Sequence, residues 1–433
     1  MRVWMWIIVA AACANSAHAQ LHLPGGAPLP VLPQKLTQTI GQTAASLEQL
    51  SDVRRLQIAS LIRANPRSVA ADPHGNPIVR DELLASSPSA KGLEAARALG
   101  LEIVREQTIE DLDIHLVVLK PRTNLRTKTL SRLREADPAG TYDFNHIYLG
   151  GGLGRALADA PPPSEKNAGG TDRPASRVGL IDAGVDIAHP VFHDAVIHSW
   201  GCGNRTLPST HGTAVASLLV GQAAGLHGVL AGAELFAANV YCDAPTGGAV
   251  DALAAAFSWL AQQRVAVINV SLVGPDNAAL AQIVRALAVR GYLLVAAVGN
   301  DGPAAPPLYP ASYPRVVGVT AVDSHRRVLI EAARGKQVMF AAPGADMLAA
   351  DNDGKYSAVR GTSFAAPIVA GLLAQILSAP DLSASDAAVE ALALHAIDLG
   401  PAGRDLTYGF GLVGAERFSG SKEETPTDGR INR

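Results

Sequence analysis

Cysteine is scarce in this chain, with three in 433 residues, and aromatic side chains make up only 5%. Past the first twenty residues only Cys202 and Cys242 remain, and two cysteines alone do not make a zinc site. Positive charge is not in surplus either. Lys and Arg number 36 against 39 Asp and Glu, for a net charge of -3, which is not the footprint of a nucleic-acid binder. Beyond the N-terminal stretch no apolar run has the length of a transmembrane helix. What the chain does have is apolar residues, 48% of the total. That excludes global disorder and allows a large core, and the length calls for two or three segments.

The opening MRVWMWIIVAAACANSAHAQ reads as an export signal. Arg2 supplies positive charge, Val3 to Ala14 form a short apolar stretch, and Ala17-His18-Ala19 is a small-x-small cleavage signature. The cut is expected after Ala19. A retained anchor is the alternative. A lipoprotein reading of Cys13 lacks the Leu three residues earlier. The mature protein is expected to be soluble and exported, to the periplasm or the medium, with no stable membrane insertion. In that compartment Cys202 and Cys242 either pair or stay free thiols. Paired, they would contribute roughly 4 kcal/mol by closing their loop.

Residues 20–76 start Pro- and Gly-rich. QKLTQTIGQTAASLEQLSDVRRLQIASLIRAN, 34–65, then carries apolar residues at helical intervals, for one or two amphipathic helices. From 77 to 149 the rhythm changes. Strands are expected at 78–85, 101–105, 112–119 and 141–149. Helices are expected from AKGLEAARALG, capped by Gly100, and TLSRLREADPAG, stopped at Pro138. The order βαββαβ is ferredoxin-like. Residues 150–176 read as a Gly-, Pro- and Ser-rich linker, and 419–433 as a polar tail. Between them, 177–418 alternates short apolar strands (RVGLI, AVINVSL, YLLVAAV, RVVGVTAV, VMFAAP) with helical stretches. That pattern predicts an α/β fold, a mostly parallel sheet covered by helices on both faces.

In such sheets chemistry gathers at the carboxyl ends of strands. RVGLI runs into Asp182, placed to support a histidine, with Asp186 and His189 as weaker neighbours. His211 opens the helical HGTAVASLLVG, where the positive helix end disfavours protonation, as suits a general base. Asn300 ends YLLVAAVGN and could donate to an oxyanion. Ser363, in GTSFAAPIVAG, begins a helix whose N–H groups can stabilise negative charge.

Together with INVSLVGP, YPASYPRVVGVTAVD and YGFGLVGAERF, these motifs make residues 177–417 resemble the subtilisin-type serine peptidases, the subtilases. The order Asp, His, Ser is that family's order. The esterase alternative is disfavoured by that order and by the lack of a G-x-S-x-G elbow at Ser363. The resemblance implies an endopeptidase acting on protein or peptide substrates through an acyl-enzyme, with no cofactor required. Its catalytic residues would be Asp182, His211 and Ser363, with Asn300 in the oxyanion hole. Ser271, Leu272, Val273, Ala297, Val298 and Gly299 would line the substrate site. Structural calcium is common in the family, but no local carboxylate set names its ligands here.

The resemblance gives the 77–149 segment a meaning as a ferredoxin-like propeptide. It would inhibit its own catalytic domain by laying the strand near Tyr142 to Leu149 in the substrate cleft, and would be cut off between about 149 and 176. Departures from the family pattern bear on specificity. Val273 stands where Gly is frequent and Val298 where Ala is usual, so the first substrate pocket is expected to be narrow and to take a small residue. With His211 required neutral, kcat/KM is expected to rise through roughly pH 6–7.

Overall fold

The computed structural model describes residues 47–122, 128–150, 153–155, 176–223, 225–352 and 354–417. The expected export signal, the start of the helical segment, most of the linker and the tail lie outside them. Among the described residues no helix is long and apolar enough to cross a membrane.

The described N-terminal part opens on helix α1 (Leu47–Ala64), within the expected helical stretch, followed by a short strand β1 (Val69–Ala71) that was not foreseen. Then come β2 (Pro77–Ser86), α2 (Ala90–Ala98), β3 (Leu101–Ile109), β4 (Ile114–Pro121), α3 (Thr129–Ala136) and β5 (Thr141–His146). The strands pair antiparallel, β2 lying between β4 and β5 with β3 outside β4. Gly100 ends the turn after α2 at φ 79°, a backbone state that costs glycine little. Strand period divides this sheet's side chains between two cores. Leu83, Ala85, Val117 and Leu119 pack with Leu130 and Leu133. Leu84, Leu116 and Val118 join a core that includes Leu253, Phe257, Leu280 and Ile283 of the following domain.

After β5 the chain does not run free. Strands β6 (Leu149–Gly150) and β7 (Leu153–Arg155) precede β8 (Arg177–Asp182), β9 (Val196–Trp200) and helix α4 (Thr210–Val220). A small hairpin, β10 (Gln222–Ala223) and β11 (Leu226–His227), leads to β12 (Glu234–Asn239), α5 (Val250–Gln262), β13 (Val267–Val270) and β14 (Leu272–Val273). Next are α6 (Ala278–Val289), β15 (Leu293–Ala297), β16 (Val317–Val322), β17 (Val338–Pro343), β18 (Ala345–Ala350), β19 (Tyr356–Arg360), α7 (Thr362–Ala374) and α8 (Leu382–Leu394).

Seven of these strands form one sheet in the order β17-β16-β15-β13-β8-β12-β9, and every pairing in it is parallel. Burial on both faces explains the near-continuous apolar strands. Val178 and Leu180 enter the core shared with α4 and α7, while Ile181 enters the one shared with α5 and α6. Cys202 and Cys242 are bonded, with Cα atoms 5.0 Å apart. The bridge ties the loop after β9 to the loop after β12.

The N-terminal sheet sits on the starts of α5 and α6. Asp143 accepts from the Ala278 N–H at 2.8 Å, and Asn277, the N-cap of α6, donates to Phe144 O and His146 Nδ1 at 2.9 Å each. Asn145 Nδ2 donates to Asp251 Oδ1 at 3.0 Å in the first turn of α5. The Asp143 carboxylate, with the side-chain oxygens of Asn145 and Asn277 that accept from Asp251 N and Leu280 N, satisfies helix-start N–H groups with no partner inside the helix.

Candidate active site

Asp182 ends β8, an interior strand of the sheet, and parallel pairing with β12 places it opposite Asn239. Its Oδ1 accepts the Nδ1–H of His211 at 2.7 Å and the Ala183 N–H at 2.6 Å. The other carboxylate oxygen and His211 Nε2 are buried without a protein partner among the described residues. His211 is the second residue of α4. Gly212 follows it because any Cβ there would fall 2.3 Å from the Ala183 carbonyl. Sequence reasoning expected the helix end to disfavour protonation, but the net shift is the reverse. Burial pushes the imidazole pKa down, but the Asp182 charge and hydrogen bond outweigh it and raise it above the ordinary value. A local helix-end effect is small beside a carboxylate in direct contact.

Ser363 is fully buried as the second residue of α7. Gly361 before the helix has φ 136°, a backbone state open to glycine. Pro367 four residues on has no N–H to offer the Ser363 carbonyl. That carbonyl accepts instead from Ser271 Oγ at 3.0 Å, which in turn accepts from Asn269 Nδ2 at 2.8 Å. The Ser363 hydroxyl donates to the Ser271 carbonyl at 3.3 Å, so it is turned from His211 toward the strand edge. The neighbouring Phe364 ring lies 5.5 Å from the His211 ring.

Asn300 follows β15. Its Oδ1 accepts the Thr362 N–H at 3.0 Å, and its Nδ2 is buried without a partner. Fixing the acceptor end leaves the donor end for a ligand. Gly299 N donates to Thr362 Oγ1 at 3.2 Å, so Thr362 clamps this loop to the start of α7. Nothing but the adjacency of Thr362 to Ser363 could have flagged that role from sequence. Asp186 and His189 are placed apart from this cluster, in turns: Asp186 Oδ1 accepts from Ala188 N and His189 Nδ1 from Val191 N.

Ser271, Leu272 and Val273 lie along the cleft edge, with Leu272 opposite Gly150 and Val273 opposite Leu149 in an antiparallel pair. The stretch expected in the cleft is therefore divided. Residues 141–146 belong to the N-terminal sheet, and 147–150 enter the cleft. Ile147 bridges to Ala249, Tyr148 N donates to Gly248 O at 2.8 Å, and Tyr241 Oη donates to Tyr148 O at 3.0 Å. A Cβ built on Gly150 would lie 3.9 Å from His211 Nε2. Beyond it β7 pairs antiparallel with β19, Leu153 opposite Arg360. Ala297 ends β15 in the core. Val298 is buried too, with a methyl 3.3 Å from a Cβ built on Gly318, so its bulk meets the neighbouring strand. Among the described residues no three His, Cys, Asp or Glu side chains gather to hold a metal.

Residues 174–411 match the Subtilase family, Peptidase_S8. The chain belongs to the subtilase family. It is a serine endopeptidase of that family. Subtilisin DY of Bacillus licheniformis is 33% identical over 249 residues, which are 55% of this chain and 89% of the relative. The minor extracellular protease Epr of Bacillus subtilis strain 168 is 31% identical over 246 residues, 55% of this chain and 37% of that protein. Fervidolysin from Fervidobacterium pennivorans, a keratinolytic enzyme related to subtilisin, superposes with a TM-score of 0.64 at 20% identity, over 79% of this chain and 61% of its own. At that identity the likeness is one of fold.

The raised His211 pKa generates a prediction. The base must be neutral, and a raised pKa keeps it protonated to higher pH. The acid limb of kcat/KM is therefore expected to centre above the ordinary histidine value of about 6.5. Asp182→Asn should move the limb down and lower kcat by roughly 10⁴. A pH–rate profile of both proteins checks this, and an unshifted limb in the variant would contradict it.

Proposed function

We propose that this subtilase is made for export as a zymogen, cuts itself once in the cleft, and then hydrolyses peptide bonds after small residues without a cofactor. The observation that carries the zymogen reading is the path of the N-terminal chain. It pairs with β14 on one side of His211 and with β19 on the other, as an extended substrate would. The first nineteen residues support export, as does likeness to a relative named as extracellular.

In this mechanism Ser363 rotates from the Ser271 carbonyl, gives its proton to His211 Nε2 and attacks the scissile carbonyl. Asp182 holds the imidazole with Nδ1 protonated and stabilises the imidazolium. The oxyanion takes hydrogen bonds from Asn300 Nδ2 and the Ser363 N–H, which has no acceptor within its helix. His211 then protonates the leaving amine, and water, activated by the same imidazole, releases the acyl group.

Two strand registers bear on where the chain cuts itself. One step past Leu272 on the β14 edge is Ser271, whose carbonyl holds the nucleophile. One step past Arg360 on β19 is Gly361, two residues before Ser363. Both point to a bond between Gly150 and Leu153, well short of the end of the expected linker. The sequence over 150–152 is Gly-Gly-Gly, which suits a pocket walled by Val273.

Wild type should mature with a new N-terminus within residues 151–153, and Ser363→Ala should stay full length and lose about 10⁶ in kcat. Intact-mass measurement and N-terminal sequencing check this. An Ala variant cut at the same bond in a protease-free host would refute self-processing. On the mature enzyme a peptide library should favour Gly or Ala before the cut, by a preference rather than an absolute rule. A profile led by Phe or Tyr would refute the narrow pocket.

A further inference from the structure

The N-terminal chain in the cleft is held on its second side by a side chain where a backbone would serve. In an antiparallel ladder a hydrogen-bonded pair exchanges both its N–H and its C=O bonds. Opposite Tyr148 half of that exchange is missing. Gly248 O accepts the Tyr148 N–H at 2.8 Å, but the Gly248 N–H donates inward, to Val240 O at 2.9 Å. Gly248 has φ 78°, a backbone state open to glycine. The Tyr148 carbonyl is served instead by the Tyr241 hydroxyl at 3.0 Å. A Cβ built on Gly248 would fall 2.3 Å from that carbonyl and 3.0 Å from the Tyr241 ring. Glycine therefore keeps open the niche in which hydroxyl and carbonyl meet.

The holds on the Tyr241 backbone come from the catalytic domain. Val240 N donates to Asp182 O at 3.1 Å, and Asn239 Oδ1 accepts from Tyr241 N at 3.0 Å and Cys242 N at 3.2 Å. Cys242 is then tied to Cys202. Not every contact in the cleft has that footing. Arg54 of α1 donates to Val273 O at 3.2 Å and pairs with Asp301 at 3.4 Å, but it belongs to the part that would leave. We propose that Tyr241 is a substrate-positioning residue, whose hydroxyl donates to the main-chain carbonyl of the substrate residue lying where Tyr148 lies. This rests on the reading that residues 147–150 take a substrate's path. The hydroxyl stands away from the reacting atoms and acts by fixing the register of the peptide that Ser363 attacks. It addresses a carbonyl and no side chain, so it selects for the reach of a substrate rather than its sequence. A phenol keeps its proton to about pH 10, so the donor is present at neutral pH.

The test uses the self-processed enzyme, its mass recorded first and its concentration fixed by fluorophosphonate titration, which counts only folded, active protein. Two peptides copy residues 149–156, LGGGLGRA, one with a free amine on the Leu and one with an acetyl cap. The acetyl group supplies the carbonyl that Tyr148 would supply, with no side chain attached, and the free amine lacks it. The acetylated peptide should exceed the free amine in kcat/KM. Tyr241→Phe, which keeps the ring, should lower that ratio by about threefold to tenfold, chiefly through KM, as loss of one neutral hydrogen bond does. A ratio unchanged in Tyr241→Phe overturns the proposal however far both rates fall, since an equal loss marks a structural role. A chain that stays full length, or a mature enzyme that cuts neither peptide, contradicts the substrate-like path of residues 147–150. Either result overturns the proposal with it, since Tyr241 then serves only to hold the N-terminal chain.

Discussion

An open strand edge dominates this structure. β14 is two residues long, it lies outside the seven-stranded sheet, and its only strand partner among the described residues is β6. A row of backbone N–H and C=O groups at an edge is a template for another extended chain. In the full-length protein the chain's own Leu149 and Gly150 take that place. In the zymogen reading proposed above, an incoming peptide makes the same main-chain bonds, so that occupancy by the leader and binding of substrate exclude each other. The docking of the N-terminal sheet on the starts of α5 and α6 keeps the leader strand in register.

The nucleophile depends on the same edge. Ser271, between β13 and β14, holds Ser363 through two contacts: its hydroxyl satisfies the carbonyl orphaned by Pro367, and its carbonyl receives the Ser363 hydroxyl. Thr362 and Asn300 lock the opposite side. The start of α7 is thus fixed by side chains from two separate strand ends, Ser271 after β13 and Asn300 after β15, together with its own Thr362. Precise placement of this kind is worth several orders of magnitude in rate. The buried Nδ2 of Asn300, left without a protein partner, is a donor kept ready for charge that develops only during reaction.

Much of this was legible in the sequence, for physical reasons. Strands buried on both faces must be apolar throughout, so β8, β13, β15, β16 and β17 announced themselves. The carboxyl-end rule then led to Asp182 and Asn300, and helix starts to His211 and Ser363. β9, whose side chains are largely outside the core, and the hairpin of β18 and β19 were missed because they lack that signature. β7 was lost in what composition marks as a linker, since glycine-rich sequence carries no side-chain period even where its backbone pairs. The direction of the His211 shift was misjudged because the distance to Asp182 is not a sequence property. The contacts of Arg54 with Asp301, 247 positions away by their numbers, have no local signal at all.

The central claim is that the leader strand occupies the cleft as a substrate does and that Ser363 becomes accessible when it leaves. Timed labelling with a fluorophosphonate probe, read by peptide mapping during maturation, tests this most directly. The account predicts a label confined to Ser363 that grows in step with the appearance of the mature N-terminus, while full-length chain stays unlabelled. Full labelling of Ser363 in unprocessed chain would contradict it.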